Sequence, residues 1–179
     1  MALCHTSGYH LCMTEDRTDG SSSGLASVAF FAADHAVVEN GKAYINGGFW
    51  DNILQPSYPA QISVSLVAVV RVPAEAYLAN HRLAVEMEDA NRKKLPNLKI
   101  EGEFRVGTPP HLEPGEPTPL PVAFPLDRLT IERAGIYWFV LSVDGDEIDR
   151  FRVRALQGGV VAVQPPEAPV TGGDATQAQ

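Results

Sequence analysis

Residues 62–72 read Ile-Ser-Val-Ser-Leu-Val-Ala-Val-Val-Arg-Val, the longest uninterrupted strand-like run in the chain. Ile62, Val64, Leu66, Ala68, Val70 and Val72 share one face of a period-2 pattern. Ser63 and Ser65 open the other face, but Val67 and Val69 turn it apolar as well. A strand that is apolar on both sides is expected in the middle of a sheet, covered on both faces. This run reads as scaffold, and everything else is arranged around it.

Working outward toward the N-terminus, Ser27–Ala33 and Ala36–Glu39 read as two strand segments, with a break predicted at Asp34-His35. Asn40-Gly41 then predicts a tight hairpin, because a type I′ turn needs positive φ at both central residues. Lys42–Ile45 continues the pattern, Gly47-Gly48 predicts a bulge or a close backbone approach, and 52–59 reads as a loop. Toward the C-terminus, Pro73–Asn80 fits one or two helical turns. His81–Glu88 alternates with Leu83, Val85 and Met87 inward, and Leu98–Val106 is interrupted at Gly102. The five prolines of Gly107–Pro119 predict a surface loop, since proline lacks the ladder donor. Leu120–Phe124 reads as a short edge strand. Ile136–Val153 reads as a hairpin turning at Asp144-Gly145, with a bulge near Asp149 where the alternation slips.

Eight or nine short strands with turn signals between them, and at most one short helix, predict an all-β antiparallel sandwich over residues 25–157. Residues 1–24 and 158–179 have linker-like or Pro/Ala/Gln-rich composition and are predicted to be disordered tails. The formal net charge is −8, half of it in those tails. No basic excess is left to neutralise phosphates, so nucleic acid is not an expected partner. No apolar run approaches the roughly 18 residues of a membrane helix, and no signal-peptide pattern is present. A cytoplasmic protein with no membrane partner is therefore expected. The only cysteines are Cys4 and Cys12, so no disulfide framework supports residues 25–157.

No constellation of catalytic residues stands out. Asp34, His35 and Asp51 are the candidates for a loop-end pocket, in which a histidine beside carboxylates would serve as base or ligand contact. His81 and Asp89 are weaker members of the same group. Phe49 and Trp50, next to two glycines, are candidate stacking or anchor residues, although aromatics at a sheet end are more often core. Cys4-His5 and His10-x-Cys12 lack the spacing of a zinc module. Asp89, Asp127, Asp144, Asp146 and Asp149 recur as in calcium loops, but Asp144-Gly145 is better explained as a turn. Arg150, Arg152 and Arg154 read as a solvated edge strand. No metal, cofactor or catalytic residue is predicted. The expected function is a non-catalytic binding or assembly module for a protein partner or a second copy. An enzyme or small-molecule binder using Asp34, His35 and Asp51 is the alternative.

Residues 29–53, AFFAADHAVVENGKAYINGGFWDNI, and 135–153, GIYWFVLSVDGDEIDRFRV, resemble a family of uncharacterised bacterial proteins, largely actinobacterial. Its members share a hydrophobic strand, an acidic dyad, a Gly-Lys hairpin and a Gly-Gly-x-Trp-Asp segment. They close with a Gly-x-Tyr-x-Phe, Val-Asp-Gly, Phe-x-Val hairpin. The resemblance covers roughly residues 27–155 and implies a single immunoglobulin- or C2-like sandwich. It implies no activity and assigns no functional residue.

Overall fold

A computed structural model describes residues 24–110 and 112–158. The Cys4, His5, His10 and Cys12 set and the two predicted tails, apart from Gly24 and Gly158, lie outside the described residues. Nine strands follow in chain order: β1 (Ala26–Glu39), β2 (Lys42–Gly48), β3 (Asn52–Gln55), β4 (Ala60–Val72), β5 (His81–Asp89), β6 (Lys94–Phe104), β7 (Thr118–Ile131), β8 (Gly135–Val143) and β9 (Asp146–Gln157). One turn of 3-10 helix, Ala74–Ala76, occupies the predicted helical stretch. The strands form a four-stranded sheet in the order β2-β1-β4-β7 and a five-stranded sheet in the order β3-β9-β8-β5-β6. This is an all-β sandwich. No helix among the described residues is long and apolar enough to cross a membrane.

The strand read first from the sequence is β4, held between β1 and β7. Val64, Leu66, Ala68, Val70 and Val72 face the main core between the sheets, together with Met87, Phe139 and Val153. Val67 faces the other way, into a smaller cluster with Phe31, Ala33 and Ala36. The second face of β4 is therefore covered by side chains of its own sheet, not by a third layer. Ser65 is buried on that side, and its hydroxyl accepts the Ala36 N–H at 3.0 Å.

Both predicted tight turns are present. Asn40 and Gly41 have φ of 51° and 72°, and Asp144 and Gly145 have φ of 54° and 94°. The expected bulge near Asp149 is there too: Leu141 pairs with Asp149 and Ser142 with Glu147, leaving Ile148 extra.

Other expectations are corrected. Asp34-His35 does not end a strand; β1 runs through it. The residues mark where β1 changes partner, from β4 (through Ala33) to β2 (from Ala33 onward). The side chains feeding the outer cluster change phase there, from Phe31 and Ala33 to Ala36. Gly102 pairs regularly with Leu83, and the irregularity of β6 falls at residues 96–98, where Pro96 has no N–H to give. β7 is a fourteen-residue strand, not a short one. Its Pro119, Pro121 and Pro125 sit in one alternating phase opposite β4, so the missing donors all fall on the solvent side of an edge strand.

Residues 52–55, expected in a loop, form β3, which pairs in parallel with the end of β9. Burial of Ile53 and the Arg154 N–H to Asp51 carbonyl bond of 2.7 Å hold it there. β9 is consequently interior from Arg154 onward, whereas Arg150 and Arg152 lie on the half that β3 does not reach. Arg150 binds Glu147 in bidentate fashion and lies over the Trp138 ring, whereas Arg152 and Arg154 are exposed. At the β7–β8 corner the Tyr137 hydroxyl donates to the Arg133 carbonyl at 2.8 Å.

Candidate functional site

The corner between β2 and β3 is built by backbone constraints readable residue by residue. Gly47 has φ of 61°, and a Cβ placed on it would lie 2.0 Å from Asp34 Oδ2. The glycine thus makes room for the Asp34 carboxylate on the neighbouring strand. A Cβ on Gly48 would lie 3.2 Å from both Phe31 and Ile45. Phe49 follows with φ of 66°, unusual for a non-glycine residue, and its N–H donates to the Ala32 carbonyl at 2.9 Å. This conformation throws the Phe49 ring outward. It stacks on Phe31 with centroids 4.0 Å apart and an interplanar angle of 15°, yet Phe49 remains 77% exposed.

Trp50 goes the other way and packs against the main core, with its Nε1 buried and without a hydrogen-bond partner among the described residues. The two aromatics go to opposite sides, Phe49 onto Phe31 and Trp50 against the main core, so only Trp50 contributes to that core. The Asp51 carboxylate accepts from the Asn52 side chain, and its carbonyl anchors β9.

Between β3 and the start of β4 lies an open groove of about 520 Å³, lined in part by Asp34, Trp50, Asn52, Gln55, Gln61 and Ser63. The structure therefore brings Asp34 and Trp50 to one concavity. His35 and Asp51 do not line it. His35 is exposed and pairs with Asn46 across the β1–β2 ladder. The predicted Asp34–His35–Asp51 pocket is not assembled. The groove's lining contains one carboxylate and no cysteine, histidine, lysine or arginine, so it has donors and acceptors but no paired base and nucleophile.

The carboxylate–imidazole contact that does form was not legible as a pair. His81 is 6% exposed; its Nδ1 lies 2.8 Å from Asp144 Oδ2 and its Nε2 3.1 Å from the Ala76 carbonyl. The other Asp144 oxygen accepts the Arg82 N–H at 2.8 Å. Burial disfavours the imidazolium, but the Asp144 hydrogen bond and the Ala76 carbonyl outweigh it and raise the His81 pKa. Burial likewise opposes the Asp144 carboxylate, and the bonds from His81 and Arg82 prevail to lower its pKa. With both ring nitrogens engaged by acceptors, His81 has no free nitrogen for proton transfer. It is a clamp.

The calcium candidates are dispersed. Asp89 accepts the N–H groups of Asn91 and Lys93 in the β5–β6 turn, which lowers its pKa. Asp149 accepts from Ser27. No three metal-ligating side chains converge among the described residues. A second concavity of about 500 Å³, unanticipated from sequence, lies between that turn and the Tyr137 corner. Asn97 at its wall donates to the Thr130 carbonyl and keeps a buried Oδ1 without a partner among the described residues.

The corner yields one direct prediction. Gly47→Ala forces a left-handed φ on alanine and pushes the Asp34 carboxylate aside, so stability should fall by about 1–2 kcal/mol. Denaturant midpoints of the two proteins measure this; an unchanged midpoint would show that Gly47 is not needed for the turn.

The fold and corner together define a two-sheet β-sandwich protein without a recognisable catalytic centre among the described residues. The chain belongs to a family of unknown function, DUF6941, whose model matches residues 28–156. No curated protein matches it. Among solved structures, β-glucosidase from Listeria innocua in complex with glucose is similar over 74% of this chain and 16% of that one, at 10% identity and a TM-score of 0.37. Another structure of β-glucosidase from Listeria innocua is similar over 59% of this chain and 14% of that one, at 10% identity and a TM-score of 0.33. This chain thus spans about a sixth of the length of those chains, and the likeness carries no functional argument.

Proposed function

We propose that this protein is a non-catalytic binding or assembly module whose docking surface centres on the Gly47–Asp51 corner. The observation that carries this is Phe49: a large aromatic, 77% exposed, held flat on Phe31 by a backbone conformation that costs energy. A rigid, pre-placed aromatic anchors a partner with little entropy left to lose. Asp34 and His35 flank the anchor on β1, and Asp51 follows it. The parallel β3–β9 pair, the strand order and the Tyr137 corner support an immunoglobulin-like rather than a C2-like sandwich. A cytoplasmic setting, without nucleic-acid or membrane partners, is part of the reading; the absence of cysteine between residues 25 and 157 supports it.

Quantitative affinity capture from native extract with wild-type and Phe49→Ala protein tests the proposal. A specific partner should be recovered with wild type and its affinity reduced about tenfold or more by the substitution. Equal recovery by both proteins, or no reproducible partner, would count against it. The second reading is a small-molecule site in the groove, favoured by the unpartnered Trp50 Nε1 at its wall. Ligand-dependent change in a Trp50→Phe-sensitive fluorescence signal would support that reading instead.

A further inference from the structure

We infer that the outer face of the five-stranded sheet is the docking surface for this chain's own C-terminal segment. Residues 160–163 lie on an apolar rim of that face, and Glu167 reaches the arginines beyond it. This surface is distinct from the Gly47–Asp51 corner, and the inference does not rest on the corner's role.

The register of β3, β9 and β8 decides which side chains share the face. Leu54 lies beside Leu156, Ile136 beside Arg154, and Trp138 beside Arg152. Their sequence neighbours Ile53, Ala155, Val153 and Tyr137 are all in the main core, so this set points away from it. Leu54, Leu156 and Ile136 are 57%, 40% and 38% exposed and form an apolar rim at the end of β9. Further back along the strand stand Arg154 and Arg152, both exposed and without an ion pair among the described residues. Arg150, next in the series, is already held by Glu147 and Glu88. The face therefore runs from apolar to cationic, and its two free cations repel each other in a chain of net −8.

The segment that leaves this face has the complementary order. Gly158 donates to the Gln55 carbonyl at 3.1 Å, and a Cβ on it would lie 2.9 Å from Leu54 Cδ1. The chain thus departs from the apolar rim itself. Residues 158–167 read Gly-Gly-Val-Val-Ala-Val-Gln-Pro-Pro-Glu. The paired glycines permit a reversal of direction. The valines that follow favour an extended course over a sheet, and the prolines keep it extended. Val161 and Val163 share one side of an extended chain, which sets both on Leu54, Leu156 and Ile136. Arg152 lies about 20 Å back along β9 from Gly158. The chain from Gly158 to Glu167 spans up to about 30 Å, enough to bring that carboxylate to Arg154 and Arg152.

Charge and connectivity favour this occupant over a separate molecule. Residues 159–179 contain Glu167 and Asp174 and neither lysine nor arginine. A segment tethered at the rim meets the face at a roughly millimolar effective concentration. Two valines and one ion pair then suffice where a free peptide would need a larger contact. The cationic face of an acidic chain is closed in cis, and the corner is left as the open surface.

NMR of the full chain, with labelled methyls and backbone amides, tests this. Wild type should show Overhauser contacts from the Val161 and Val163 methyls to Leu54, Leu156 and Ile136. Backbone order parameters for residues 160–163 should be about 0.8. Val161→Asp and Leu54→Asp should each abolish the contacts and bring those parameters below about 0.6. Leu54 is exposed, and thermal unfolding verifies that its variant folds. Joint replacement Arg152→Glu and Arg154→Glu should release Glu167, and adding Glu167→Arg should restore its contact. Absence of the wild-type contacts overturns the inference, as does a segment seated on any other surface. Contacts seen only between differently labelled molecules overturn it too, because the occupant would then be a second copy. Loss of partner capture in Phe49→Ala with these contacts intact would leave the docked segment standing, so the two proposals fail separately.

Discussion

Leu66→Ala should destabilise this protein by about 2–5 kcal/mol, enough to leave a domain of ordinary stability near its unfolding threshold. Leu66 is fully buried at the centre of β4, on the face that meets the opposite sheet. Truncation removes the transfer free energy of its methyl groups and leaves a cavity that two hydrogen-bonded sheets cannot close. Ser63→Ala, three residues away on the same strand but exposed, should change stability by no more than about 0.5 kcal/mol. Denaturant unfolding of both variants checks the contrast. Similar small losses for both would mean that β4 is not the packed centre of its sheet.

The second large effect is expected at His81. Removing its imidazole by His81→Ala leaves Asp144 and the Ala76 carbonyl without their shared donor in a nearly closed site, at a cost of about 2–4 kcal/mol. The pH dependence has a defined sign. The folded-state pKa of His81 is raised above its ordinary value of 6.5, so the native state holds this proton more tightly than the unfolded chain does. The stabilisation is complete below about pH 6.5 and is lost as pH rises through the folded value. Asp144, lowered in the fold, contributes stability above its ordinary value of 3.8 that is lost as pH falls through its folded pKa. As pH rises above about 6.5, wild-type stability should therefore decline, and His81→Gln should flatten that decline. A wild-type profile that rises there would contradict the clamp.

The elements legible from sequence were those with a local cause. Asn40-Gly41 and Asp144-Gly145 select positive φ in their own backbones, whatever surrounds them. The slip between Ile148 and Phe151 shifts a side-chain period, so its bulge shows in the sequence. Leu120–Phe124 reads correctly as an edge strand, but proline hides the strand's length, because Pro119 is assigned to the loop and Pro125 to the strand's end. Lack of a donor excludes a strand with two neighbours, but Pro119, Pro121 and Pro125 need no donor on a solvent-facing edge. Asp34-His35 looked like a break because polar residues interrupt an apolar run, whereas β1 simply exchanges β4 for β2 there.

By itself the sequence determined the class of fold, the central strand and the two tight hairpins, since side-chain period and turn φ are properties of neighbouring residues. Only the tertiary structure decided which residues meet. His81 and Asp144 are 63 positions apart and join because β5 and β8 are neighbours in one register. Asp34 and His35 are adjacent in sequence, yet only Asp34 lines the groove. Phe49 stays in solvent because a left-handed backbone turns it away from the core that Trp50 enters.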